Sequence, residues 1–332
     1  MADVTPLVRD ELLPPKPPER RHLISIADLS RDDVERLLTL SATFAKTLDR
    51  DVKKLPVLKG RTVVNLFYES STRTSSSFEL AAKRLSADVM SIKATGSAVD
   101  KGESLKDTAL TIGCYDPEVI VIRHPEIGAP NLVARFTDAH VVNAGDGKHQ
   151  HPTQALLDLY TIVEEIGHVE GLHVAIVGDV LHSRVARSNI QALVLMGARV
   201  TLVGPPPLIP RGIEAMGCEV SYDIGDVKAA DVVYVLRMQR ERMLECANYV
   251  PSLREYTAQW GVTPERIRPG QRIMHPGPMN RGVEIDPAVA DAADSLVERQ
   301  VRSGLVVRMA VLYDLLTQGP VEVKVAEIEE VA

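Results

Sequence analysis

The sequence predicts an α/β protein of two doubly wound domains with parallel sheets, joined by a long helix, with the C-terminal helix packing back on the first domain. Three observations carry this reading. Short β-branched runs alternate with helical stripes of apolar residues over most of the chain. A long helical pattern opening at Pro152 separates two such alternating sets. A last helical pattern, over about 295–317, follows the second set and is free to cross back. Alternation of this period suits parallel sheets covered by helices.

Each element has a local reason. Residues 1–20 carry Pro14, Pro15, Pro17 and Pro18 among charges and are expected to form a flexible, Pro-rich leader. Ser30 is placed to N-cap a helix over about 31–48. Thr62 to Tyr68 is β-branched and aromatic, as a buried strand is. Phe78, Ala81, Ala82 and Leu85 then recur at i, i+3, i+4 and i+7, which predicts a helix from Ser75. Strands are expected near Val89, over 119–122 and at Val141 and Val142. Pro152 suits a first helical turn, Leu156, Leu159, Val163 and Ile166 form the buried stripe, and Gly167 is a stop. Next come a strand over 174–177, a helix through Ile190, Leu193 and Val194, strands over 200–203 and 232–235, and a short strand at Ile273. On the terminal helix Val297, Val301, Leu305, Met309, Leu312 and Leu316 are expected to face inward. The first domain is placed at 21–152 plus about 305–332, and the second at 153–304.

Bulk properties narrow the function. The 332 residues suffice for two cores, and 45% hydrophobic with 25% charged residues is the make-up of a soluble globular protein. A net charge of −7 argues against nucleic acid as a partner. No apolar run reaches a membrane span of about 20 residues, and the N-terminus lacks a signal-peptide core. Cys114, Cys218 and Cys246 are few and far apart, which suits reduced thiols of a cytoplasmic protein, each read as a small packing residue.

Ser71-Thr72-Arg73-Thr74-Ser75 lies where a strand ends and a helix begins. Hydroxyls, a guanidinium and unpaired backbone N–H groups converge there on the positive end of a helix dipole, which makes a phosphate site. Capping alone explains one or two hydroxyls, but not an arginine at the end of the helix where the dipole disfavours it. Further polar clusters follow other strands: Arg123-His124-Pro125, the run from Gly145 to Gln154, Gly178-Asp179 with Arg184, Arg237-Met238-Gln239, and His275-Pro276-Gly277-Pro278. Ligands of doubly wound sheets bind at such strand ends. His149 and His151 near Asp146 lack a clear third ligand for a metal. No dinucleotide fingerprint, P-loop or G-x-S-x-G elbow is present. Many cations with few carboxylates or nucleophiles bind an anionic substrate and stabilise developing negative charge.

Taken in order, these motifs resemble the catalytic chain of the aspartate transcarbamoylase (aspartate carbamoyltransferase) family. The likeness rests on the runs 67–75, 100–104, 123–125, 143–147, 151–154, 237–239 and 275–282. The resemblance implies a carbamoyl phosphate-binding first domain and an aspartate-binding second domain. It implies that Ser71, Thr72, Arg73 and Thr74 hold phosphate, that Thr74, Arg123 and His151 hold the carbonyl oxygen, and that Gln154 and the backbone at Pro276, Gly277 and Pro278 hold the amide. Arg184 and Arg237, with Gln239 nearby, would grip the carboxylates of aspartate. Ser97 and the catalytic, aspartate-binding Lys101 would come from a neighbouring subunit of a homotrimer. No metal or organic cofactor is implied. The leader is read as a solvated tail, with contact to another pyrimidine-pathway enzyme such as dihydroorotase as its functional alternative; regulatory chains are a further partner that the resemblance allows. An alternative is ornithine or a related carbamoyltransferase, but that family usually has Arg where Ser75 stands and His-Cys-Leu-Pro where His275 to Pro278 stand. A non-catalytic homologue would be expected to lose Arg73, His151 or Lys101, and all three are present.

Overall fold

In the computed structural model, residues 22–93, 102–239 and 252–317 are described. The first sheet contains β1 (Thr62–Phe67), β2 (Asp88–Lys93), β3 (Val119–His124) and β4 (His140–Asp146), in the order β2-β1-β3-β4 and parallel throughout. The second contains β5 (His173–Val177), β6 (Arg199–Val203), β7 (Glu219–Ser221), β8 (Val232–Val235) and β9 (Arg272–Met274), in the order β7-β6-β5-β8-β9, again parallel. The central strands β3, β5 and β8 are apolar runs buried along most or all of their length, as strands covered on both faces must be. Strand order reverses between β1 and β3 and again between β5 and β8. Each reversal opens a crevice at the carboxyl edge of its sheet.

Helix α1 (Arg31–Thr47) begins at the expected cap: Ser30 Oγ accepts from the Asp33 amide, and the Asp33 carboxylate accepts from the Ser30 amide. Helix α2 (Thr72–Arg84) begins three residues earlier than expected, with Ser71 as N-cap, so Arg73 lies in its first turn. Helices α3 (Leu105–Gly113) and α4 (Ala129–Arg135) escaped the sequence reading, as did β7 and the short helices Leu253–Trp260 and Pro287–Ala290. Helix α5 (Pro152–Ile166) runs from Pro152 to the left-handed Gly167 and is buried on all sides over its first eleven residues. Its position between the two sheets explains why it is no amphipathic surface helix. Helix α6 (Arg184–Leu195) is capped by Ser183. Past β8 a short helix, Leu253–Trp260, precedes β9.

The C-terminal helix, Val297–Thr317, packs on α1, α2 and α5, so it does return to the first domain. Phe44 meets Tyr313 edge to face at 5.6 Å, and Arg36 pairs with Asp314 at 2.9 Å. It starts at Val297, because Ser295 bridges to Ile273 as an extension of the second sheet. Its inward face also differs from expectation: Met309 and Leu312 are buried, but Val301 is 57% exposed. Gln300, Ser303, Gly304 and Arg308 turn inward instead. Gln300, Ser303 and Arg308 Nη1 bond inside the fold, so apolar periodicity does not mark this face. Cys218 is buried, whereas Cys114 is exposed and is not a packing residue. Cys246 and the leader lie outside the described residues. No described helix is long and apolar enough to cross a membrane.

Candidate active site

Loops from the carboxyl ends of both sheets line one cavity of about 720 Å³. The loop after β1 and the first turn of α2 contribute Ser71, Thr72, Arg73 and Thr74. The end of β3 contributes Arg123, the start of α5 His151 and Gln154, and the start of α6 Arg184. From β8 come Arg237 and Gln239, and from the loop after β9 Pro276, Gly277 and Pro278. Residues separated by more than two hundred positions thus share one wall-to-wall space. Ser97 and Lys101 lie outside the described residues.

The N-terminus of α2 is built to receive an anion. Ser71, its N-cap, makes no side-chain capping bond, and the first turn holds no acidic residue. The early amide groups and the helix dipole therefore face the cavity without an internal acceptor from the cap. Burial lowers the Arg73 pKa, and the charge of Arg237 lowers it further. Two guanidinium groups facing one space favour an anion between them.

Helix α5 delivers His151 as its N-cap, with φ −146° and ψ 72°. Its backbone N–H donates to Ser188 Oγ at 2.8 Å, which anchors the cap to α6. The imidazole is buried, and its Nδ1 meets no partner among the described residues. Burial first, then Arg123, Arg308 and Arg184, pushes its pKa well below the ordinary histidine value. His151 is therefore neutral at neutral pH, a dipolar group and not a cation.

Two charged residues of the cavity gained no role from the sequence. Glu69 receives Arg123 Nε at 3.0 Å and also makes a close ion pair with Arg184. It joins the end of β3 to the start of α6 and so spans the two domains. Arg308, from the C-terminal helix, lies 5.1 Å over the Phe78 ring, and burial pulls its pKa down to about 10. Its sequence signal was an arginine on the face with Gly304 and Gln300, legible only once that face is known to point inward. Arg73, Arg123, Arg184, Arg237 and Arg308 line the cavity, with Glu69 as the one carboxylate among its described lining residues. Five cations against one anion make the space strongly attractive to a polyanionic substrate.

The loops are tied to one another beneath the surface. Glu284, fully buried, accepts from the Asn280 and Met238 amides and meets His275 Nε2 at 3.3 Å. His275 Nδ1 in turn accepts from the Gly277 amide at 2.8 Å. Asp179, also buried, accepts from the Gln239 amide at 3.4 Å and holds His182. The motif at Gly178-Asp179 is therefore a loop clamp. Asp146, likewise, accepts from Asn143, Gln150 and Gly128 and pairs with His149 at 3.2 Å. No cluster of three or more metal-ligating side chains is found among the described residues.

Comparison with known proteins gives a consistent result. The family described as aspartate/ornithine carbamoyltransferase matches in two parts, its carbamoyl-P binding domain over 21–164 and its Asp/Orn binding domain over 170–315. An aspartate carbamoyltransferase catalytic subunit of Salinispora arenicola is 57% identical over 303 residues, covering 89% of this chain and 98% of the relative. Among solved structures, the aspartate transcarbamoylase of Trypanosoma cruzi with carbamoyl aspartate and phosphate superposes with a TM-score of 0.81 at 32% identity. That match covers 89% of this chain and 95% of the other. The catalytic subunit of M. jannaschii aspartate transcarbamoylase gives 0.78 at 36% identity, covering 90% and 99%.

Proposed function

Because this chain belongs to the aspartate/ornithine carbamoyltransferase family, we propose that it transfers the carbamoyl group of carbamoyl phosphate to the amine of L-aspartate, releasing phosphate. The product is N-carbamoyl-L-aspartate, an early intermediate of de novo pyrimidine biosynthesis. The observation that carries the choice of aspartate is that Arg184 and Arg237 line the same cavity as the α2 anion cradle. Guanidinium forks suit carboxylates and would repel a cationic amino acid.

The chemistry follows from these placements. The phosphate rests on Ser71, Thr72, Arg73 and Thr74 at the positive end of α2. Thr74, Arg123 and neutral His151 donate to the carbonyl oxygen, and Gln154 with the backbone at Pro276 to Pro278 receives the amide. Arg184 and Arg237 hold the aspartate carboxylates, with Gln239 beside them. The deprotonated amine attacks the carbonyl carbon to give a tetrahedral oxyanion. Donors aimed at that oxygen stabilise it more than the ground-state carbonyl. The C–O bond to phosphate then breaks, and the departing phosphate accepts the amine proton, so no side-chain base is required. Holding both substrates together supplies much of the remaining acceleration.

In this reading the first domain, 21–152 plus about 305–332, binds carbamoyl phosphate, and 153–304 binds aspartate. The working unit is a cytoplasmic homotrimer in which Ser97 and Lys101 of a neighbouring subunit complete each site. A colorimetric ureido assay with aspartate and ornithine in parallel tests the reaction. Product with aspartate alone is expected; no product with aspartate overturns it.

A further inference from the structure

Asp158, on α5, is 1% exposed and lies beneath the cavity without lining it. Four donors from four elements converge on its carboxylate. Gln154 Nε2, one turn earlier on α5, donates to Oδ1 at 3.0 Å, and Gln300 Nε2 of the C-terminal helix donates to the same oxygen at 2.7 Å. Asn189 Nδ2 of α6 and the Tyr234 hydroxyl of β8 donate to Oδ2 at 2.9 and 2.7 Å. An ionised carboxylate only accepts, so each amide must present its nitrogen and turn its oxygen away. Gln300 shows the consequence: its Oε1 accepts from the His275 backbone amide at 2.9 Å. Gln154 is turned in the same sense, and it lines the cavity.

We propose that Asp158 is a positioning residue that holds Gln154 by its nitrogen, so that Gln154 Oε1 faces the cavity as an acceptor for the N–H groups of the carbamoyl moiety. The inference rests on the carbamoyl phosphate reading above. A carbamoyl group and an acetyl group have nearly the same shape and differ in an –NH₂ against a –CH₃. Only an acceptor of fixed orientation separates them strongly, because a buried acceptor left facing a methyl group loses its partner. Were Gln154 free to flip, its own –NH₂ would face the substrate –NH₂ and the preference would vanish.

The test is calorimetric titration of the full chain with carbamoyl phosphate, acetyl phosphate and inorganic phosphate. The wild-type chain should bind carbamoyl phosphate more tightly than acetyl phosphate. In Asp158→Asn that ratio should fall about tenfold, the loss of one well-placed hydrogen bond. Binding of inorganic phosphate, which does not meet Gln154, should stay unchanged. A general loosening of the site would weaken all three ligands together and would overturn the inference, as would a ratio that persists in the variant. Failure of the wild-type chain to bind either acyl phosphate overturns the substrate reading, and this inference with it.

Should Asp158→Asn not fold, the wild-type ratio measured at about pH 7.5 and about pH 5.5 decides the matter. Burial pushes the Asp158 pKa up to about 6. Asn189, Tyr234, Gln300, Gln154 and, by charge, Arg308 are the groups that face it. Tyr234 titrates far above this range, and Arg308 stays cationic within it. Protonation of Asp158 releases one donor and loosens Gln154, so the ratio should fall toward the acid end. Effects on the phosphate cradle act on both acyl phosphates alike and cancel in the ratio. A constant ratio overturns the inference.

Discussion

Gly277 has φ +61°, and a Cβ placed there would stand 2.9 Å from the guanidinium carbon of Arg73. The loop after β9 can approach the α2 cradle this closely only because the residue is glycine. Gly277→Ala should displace Arg73 and reduce kcat/KM about 10²-fold, as misplacement of a reacting group by about 1 Å does. Steady-state kinetics checks this, and a near wild-type value would contradict it. His151 yields a pH prediction. Its folded pKa is depressed by burial and three arginines, while the unfolded chain titrates near 6.5. Its contribution to stability is therefore present above about pH 6.5 and is lost on acidification, by up to about 1.4 kcal/mol per pH unit. The stability gap between wild type and His151→Gln, from urea midpoints, should narrow in favour of the variant as pH falls from 7 toward 5. A gap that widens in favour of the wild type has the wrong sign. Both residues were readable as motif members. Glu69 stood inside a recognised run too, yet its pairing with Arg123 and Arg184 depends on contacts 54 and 115 positions away.

At the scale of the element, the C-terminal helix is the instructive case. Its existence and length follow from composition, but its rotation does not. Apolar spacing nominates Val301, which is exposed, while Arg308 is 4% exposed and sits on the buried face. A buried arginine is stable there because Phe78 covers it and Nη1 donates to the Gly304 carbonyl at 3.0 Å. Gly304 makes the room: a Cβ there would lie 2.5 Å from Arg308 Nη1 and 3.3 Å from Leu157 Cδ2. Gly304→Ala therefore sets a helix-propensity gain of about 1 kcal/mol against an overpacking cost of about 1–3 kcal/mol. Because the guanidinium is held over the Phe78 ring and by the Gly304 carbonyl, moving it loses both contacts, and a net loss of stability is expected. A chemical denaturation midpoint at or above that of the wild type would refute this. For α2 the apolar stripe begins at Phe78, so the stripe alone puts the start too late. The first turn is polar because it faces the cavity, and the cap at Ser71 marks its true beginning.

For the whole molecule, the two reversals of strand order place two crevices face to face, and the cavity is their common space. The proposed function has a neighbouring subunit complete this site. If Lys101 comes from that neighbour, mixing inactive Arg73→Ala and Lys101→Ala chains should restore activity, since some hybrid interfaces carry both intact halves. No recovery after demonstrated subunit exchange would sink the shared site. What the sequence determined by itself was the alternation of most strands and helices, the parallel α/β class and the identity of the cationic motifs. These depend on spacing along the chain, where periodicity and turn chemistry act over a few residues. Only the tertiary structure decided which face of the terminal helix turns inward, that Glu69 links Arg123 to Arg184, and that Asp158 orients three amides. Those outcomes depend on which charges and polar groups meet across long separations, and hydrogen-bond partners of that kind leave no local pattern to read.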